Sequence, residues 1–180
     1  MRSLLTPFNF FGLIVLALSA LAYHEVNKPL AVPEVPQYGA PAKRQDVNVL
    51  LYFSDPQVQG FQTEQRTLQV TGNSLQRVAQ AALEALQAGP TGDGLRTLPE
   101  GDTPQVWVRG EHLYVDLPQA YSRLNYGTSG ENMLVCSVAN TLLDLRGARD
   151  VTFLVNGKNA ETLLGHLDLR APFTKDDCKL

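Results

Sequence analysis

Residues 105–117 read QVWVRGEHLYVDL, and the reading of this stretch decides the fold. Two alternating runs, Gln105 to Arg109 and His112 to Leu117, flank Gly110-Glu111, the pattern of a β-hairpin. Val106 and Val108 point to one face, and Leu113, Val115 and Leu117 supply the matching apolar stripe. A sheet with one buried face needs a partner layer.

Working outward, the helices that supply that layer are written on both sides. Upstream, Asn73 reads as a helix N-cap with Gln76 at the capping-box position; Leu75, Val78, Ala79, Ala82 and Leu86 follow the helical spacing, and Gly89-Pro90 ends it. Before that helix, Val47, Val49, Leu51 and Phe53 alternate with Asn48, Leu50 and Tyr52, a strand apolar on both sides and expected mid-sheet. Gln65 to Val70 is a second, more exposed strand. Downstream of the hairpin and a loop with Tyr121 and Tyr126, Ser129 caps a helix with Glu131 in its first turn. Its apolar arc, Leu134, Val135, Val138, Ala139, Leu142, Leu143 and Leu145, covers about half the circumference, so it is packed on more than one side and ends at Arg146-Gly147. Val151 to Val155 is a β-branched strand closed by Asn156-Gly157. The order ββα, ββα, β predicts an α+β fold: a single small domain whose mixed or mainly antiparallel sheet has helices packed on one face.

The N-terminus is of another character. From Leu4 to Ala22 only Thr6, Pro7, Asn9 and Ser19 interrupt apolar residues, and Arg2 is the one charge before them. Residues 1–23 read as a signal peptide, with Ala20-Leu21-Ala22 at the cleavage offsets, or as a membrane anchor, since about 19 helical residues reach ~28 Å. Tyr23 and His24 form an interfacial edge that favours the anchor. Residues 24–45 carry Pro29, Pro33, Pro36 and Pro41 and read as a proline-rich linker. The domain is expected over 46–173, followed by a tail, 174–180. Both readings of the apolar segment place the domain outside the cytoplasm, with the membrane engaged through the N-terminal segment.

Over 180 residues the net charge is -3 and the 15 Lys and Arg are scattered, which argues against nucleic acid as a partner. Ser137 lies mid-helix rather than on the strained elbow that a serine nucleophile uses. His24, His112 and His166 are isolated and form no ligand pair, and Pro90 removes an amide from the Gly89–Gly94 run, which lacks a following Gly-Lys-Ser/Thr. No cofactor and no metal are expected.

Several segments together resemble one known family. These are Val49–Phe53, Leu86-Gln87-Ala88-Gly89-Pro90, Leu98-Pro99-Glu100-Gly101, Val115-Asp116-Leu117, the helical segment from Glu131 to Leu142 with Ser137, Asn140 and Thr141, Phe153–Gly157, and Gly165–Leu169 before Pro172. In this order and spacing the chain resembles the GerMN domain, the module of sporulation and spore germination proteins, over residues 46–173. The resemblance implies an envelope-associated, non-enzymatic domain of the kind found in proteins that assemble complexes between membranes or act near peptidoglycan. Departing from the family's lipoproteins, this chain has no cysteine directly after its apolar segment, so a lipid anchor is not expected, and it carries one copy of the domain.

Asp116, Glu131, His166 and Asp168 are the polar residues on the shared motifs, and they make up a candidate binding patch. Each also has a local duty: Asp116 accepting turn amides, Glu131 complementing a helix dipole, Asp168 bracing a loop. Three functions remain in view: a scaffold for envelope proteins, a peptidoglycan-binding module, and a glycan-active enzyme that pairs Asp116 with Asp168 or Glu131. The first leads, and a homo-oligomer stays open. Cys136 and Cys178 either form a structural disulfide, which an oxidising compartment permits, or are a buried small residue and a free tail thiol.

Overall fold

The computed structural model describes residues 6–27 and 43–179, in two separate units. Arg2 and the four prolines assigned to the linker lie outside the described residues. In the first unit, helix α1 spans Pro7–Val26, three residues beyond the expected boundary at 23. Pro7 stands at its start, where a missing amide costs nothing, and Thr6 accepts from the Asn9 amide. None of its residues is buried, and with a mean hydropathy of 1.5 it is long and apolar enough to cross a membrane.

The second unit is an α+β domain. Strands β1 (Arg44–Ser54) and β2 (Phe61–Thr71) pair antiparallel along their whole length, Leu50 opposite Gln65. Helix α2 (Leu75–Gln87) follows, then β3 (Gln105–Arg109) and β4 (His112–Leu117), a 3₁₀ turn over Gln119–Arg123, helix α3 (Thr128–Leu143), β5 (Asp150–Val155) and β6 (Lys158–Asn159). The 105–117 hairpin matches its reading residue for residue. Parallel β5 beside β4 makes the second sheet mixed, in the order β3-β4-β5-β6.

The strands divide into two sheets rather than one, with β1 and β2 a separate pair. β1 is therefore an edge and not the central strand its composition predicts. At its far edge the end of α3 stands in for a neighbouring strand at one residue, Tyr52, whose amide donates to Thr141 and whose hydroxyl donates to Asp144. Both helices touch both sheets, α2 meeting β1, β2 and β3 and α3 meeting β1 and β5. That arrangement explains the wide apolar arc of α3, where Met133 to Ala139 and Thr141 to Leu143 are all buried.

Two helix starts shift from their expected residues. Ser74, not Asn73, precedes α2, because Gly72 at φ +80° turns the chain out of β2 and leaves residue 73 in the turn. Gly127, not Ser129, precedes α3, and neither start has a side-chain cap. α3 also stops at Leu143 and hands over to tight turns through Ala148, short of Arg146-Gly147. At the other end of α2, Arg66 donates to the carbonyls of Ala85 and Gly89 and Arg96 to those of Gln87 and Ala88. Two cations thus satisfy helix-terminal acceptors where they also suit the dipole.

The segment after β6 returns to the core. Val151 and Phe173 exchange main-chain hydrogen bonds, and the Phe173 ring meets Phe153 edge to face at 5.2 Å. Cys178, 5% exposed, is bonded to Cys136 of α3 with Cα atoms 5.4 Å apart, so the tail is fastened to the helix.

Candidate binding surfaces

Glu131, on the first turn of α3, has no exposed surface. Its Oε1 accepts the amides of Leu163 (3.1 Å) and Leu164 (2.9 Å) and its Oε2 the amide of His166 (2.9 Å). A buried carboxylate demands such donors, and here the loop after β6 folds around the acid to supply them. Glu131 and His166 are thus brought together, but through the histidine's backbone. Its ring stays on the exposed side.

Asp168 lies two residues further along this loop and is held by Arg170, which approaches it with Nε at 2.9 Å and Nη2 at 2.6 Å. Those bonds keep the Asp168 carboxyl down at about 2. Asp116 is held elsewhere: it accepts the Gly157 amide at 2.7 Å, bracing the turn in which Asn156 and Gly157 both take positive φ. Glu131, His166 and Asp168 therefore share α3 and the 161–170 loop, while Asp116 serves the β5–β6 turn. All three acids are committed to hydrogen bonds within the domain.

Two further acids were not legible as special in the sequence. Glu64, on exposed-looking β2, has a side chain only 14% exposed and accepts the amides of Thr91 and Gly92, the Thr91 hydroxyl and Arg66 Nη2. Burial would raise its carboxyl, but the Gly92 amide, Arg66 and Thr91 hold it at about 2. Asp144, at the end of α3, accepts the Tyr52 hydroxyl at 2.6 Å and Lys175 at 2.9 Å. Burial and then the Asp144 carboxylate push the Tyr52 hydroxyl up to about 12. An acid in an alternating polar run gives no local signal of partners nearly 30 residues away.

Ser137 is fully buried in α3, out of reach of a substrate, and among the described residues no three of His, Cys, Asp and Glu are grouped to hold a metal.

Of the open surfaces formed by the described residues, two present β-sheet. The face of the larger sheet opposite its buried side carries Trp107, Tyr114 and Thr152 in one cross-strand row, with Trp107 47% exposed. The other is the edge of β1 away from β2. The Tyr52 amide there donates to Thr141 Oγ1 and the Ser54 carbonyl accepts from Leu95, so even-numbered residues turn their main chain to this edge. At Asn48 and Leu50 those groups have no partner among the described residues, and they open on a groove of about 660 Å³ lined by Val47, Val49, Leu75, Val78, Leu145 and Arg146, among others.

Comparison with known proteins agrees with this architecture. The family Germane, described as sporulation and spore germination, matches residues 50–161. The first GerMN domain of the sporulation protein GerM from Bacillus subtilis is 25% identical over 73% of this chain and 99% of that one, with a TM-score of 0.59. The tandem GerMN domains of the same protein give 24% identity over 74% of this chain and 48% of that one, at 0.58. A candidate lipoprotein from Clostridium perfringens shares the fold at 23% identity over 73% and 89%, at 0.52. No curated protein matches the chain.

Proposed function

This chain belongs to the Germane family of sporulation and spore germination domains, and from that premise we propose that it is a non-enzymatic scaffold binding other proteins of the cell envelope. Helix α1 would hold it to the membrane or direct its export, with the α+β domain outside the cytoplasm. The observation that carries the reading is where the acids are spent. Glu131 is sealed beneath three amides, Asp168 is kept ionised by Arg170, and Asp116 braces a turn, so each pairing considered for glycan hydrolysis lacks a free acid. What the domain offers instead is uncovered sheet.

The test uses the full chain in detergent, mixed with protein-free sacculi, together with photo-cross-linking from Trp107 and Asn48 in cells. Discrete protein adducts without cosedimentation support a scaffold. Release of soluble glycan fragments would overturn the non-enzymatic reading. A second reading, a peptidoglycan-binding module, is favoured by the Trp107–Tyr114 row, since exposed aromatic faces stack against apolar faces of sugar rings. Cosedimentation lost on Trp107→Ala would put that reading first.

A further inference from the structure

β1 is a strand with one neighbour too few. Its composition is that of a strand flanked on both sides, yet β2 covers only one edge, Thr141 satisfies only Tyr52 and Leu95 only Ser54. Free edges are templates for pairing, and proteins usually blunt them with lysine, proline or a bulge. Residues 47–50, Val-Asn-Val-Leu, carry none of these. The unpaired main chain of Asn48 and Leu50 instead faces an apolar groove, where Val49 is buried and Val47 and Leu50 are half-buried. Backbone donors and acceptors beside apolar recesses are the two components of strand addition: the first gives affinity, the second selects alternate side chains.

The groove also limits what fits. It is closed at Tyr52, where α3 takes the outward amide, so it is open only to a short segment. On the rim, Asp144 is occupied by Tyr52 and Lys175, whereas Arg146 is exposed and has no ion pair among the described residues. The available charge is positive.

We propose that the free edge of β1 is a strand-acceptor site that takes a short extended segment of a partner envelope protein, apolar at alternate positions and bearing a carboxylate beside Arg146. The inference rests on the scaffold reading and names the surface that reading uses.

The probe is a labelled synthetic peptide of about seven residues, alternating valine and threonine with aspartate at both ends, titrated by fluorescence anisotropy against the full chain in detergent micelles. Saturable binding is expected. It should weaken at least about tenfold in Asn48→Pro, which removes an outward amide while sparing the bonds to β2. A peptide N-methylated at alternate residues tests the same hydrogen bonds without altering the protein and should lose binding to a similar degree. Arg146→Glu should reverse the preference from the aspartate-ended peptide to a lysine-ended one. No saturable binding, or equal binding of the N-methylated peptide, would overturn the proposal. So would concentration-dependent dimerisation that Asn48→Pro abolishes, which would assign the edge to a second copy. Cross-links that persist from Trp107 while the peptide fails to bind would remove the β1 site and leave the scaffold reading standing.

Discussion

The carboxylate of Glu131 and the backbone amide of His166 meet at 2.9 Å although 35 residues separate them, and the acid is wholly out of solvent. This contact, with those to Leu163 and Leu164, ties the loop after β6 to the first turn of α3. The same helix is tied to the chain's end by Cys136 and to β1 by Thr141. α3 is thus the post on which the three outer segments hang, and its own burial on several sides follows from that position.

Glu131→Gln should destabilise the domain by about 2–3 kcal/mol, because the new NH₂ group must oppose either the His166 amide that Oε2 now accepts or the Leu163 and Leu164 amides that Oε1 accepts. Urea unfolding measures the loss. If Glu131 instead served an external ligand, the variant would unfold at the wild-type midpoint and lose only binding.

The Cys136–Cys178 bond closes a loop with a sequence separation of 42, which in the chain-entropy model stabilises by about 3–4 kcal/mol. Cys178→Ser should lower stability on that scale and expose the segment after Pro172 to proteolysis, read by mass spectrometry of the fragments. A variant that unfolds at the wild-type midpoint and resists cleavage would show that the Phe173 contacts hold the segment alone.

The elements that sequence made legible are those whose partners are near in the chain. The 105–117 hairpin closes across two residues, so alternation and Gly110 suffice to place it. β1 was legible as a strand but not as an edge, because its cover comes from the end of α3, 89 residues away at the Tyr52–Thr141 contact. Glu131 stood out as an acid in an otherwise apolar helix, yet its partners lie beyond any local pattern. Its proximity to the N-terminus suggested the dipole, while burial decided its role. The two cysteines left both a bond and a free thiol open until the return of the C-terminal segment to α3 brought them together.

Val58, in the turn between β1 and β2, takes φ +56°, a conformation that a β-branched residue adopts only under strain. The turn is held by its own hydrogen bonds, since Asp55 accepts the amides of Val58 and Gln59 and donates its own to the Gly60 carbonyl. Val58→Asn should therefore stabilise the domain by about 0.5–1 kcal/mol, asparagine tolerating this region at lower cost. A lower urea midpoint would mean that the half-buried valine side chain contributes more through packing beside Leu95 and Tyr126 than the backbone loses.

Glu64 gives the domain a defined acid limit. Its carboxyl titrates at about 2 when folded against an ordinary value of 4.5, so its contribution is fully present above about pH 4.5 and is lost as pH falls towards 2. With the side chain largely buried, that contribution is about 2–3 kcal/mol. Asp144 and Asp177 are depressed in the same direction, so an acid slope in the wild-type protein alone does not single out Glu64. The difference between wild type and Glu64→Gln does, because the other acids cancel. Urea unfolding of both proteins across this range should show Glu64→Gln weaker by about that amount near pH 6 and the two curves converging as pH approaches 2. Parallel curves would mean that Glu64 holds the Thr91-Gly92 turn without depending on its charge.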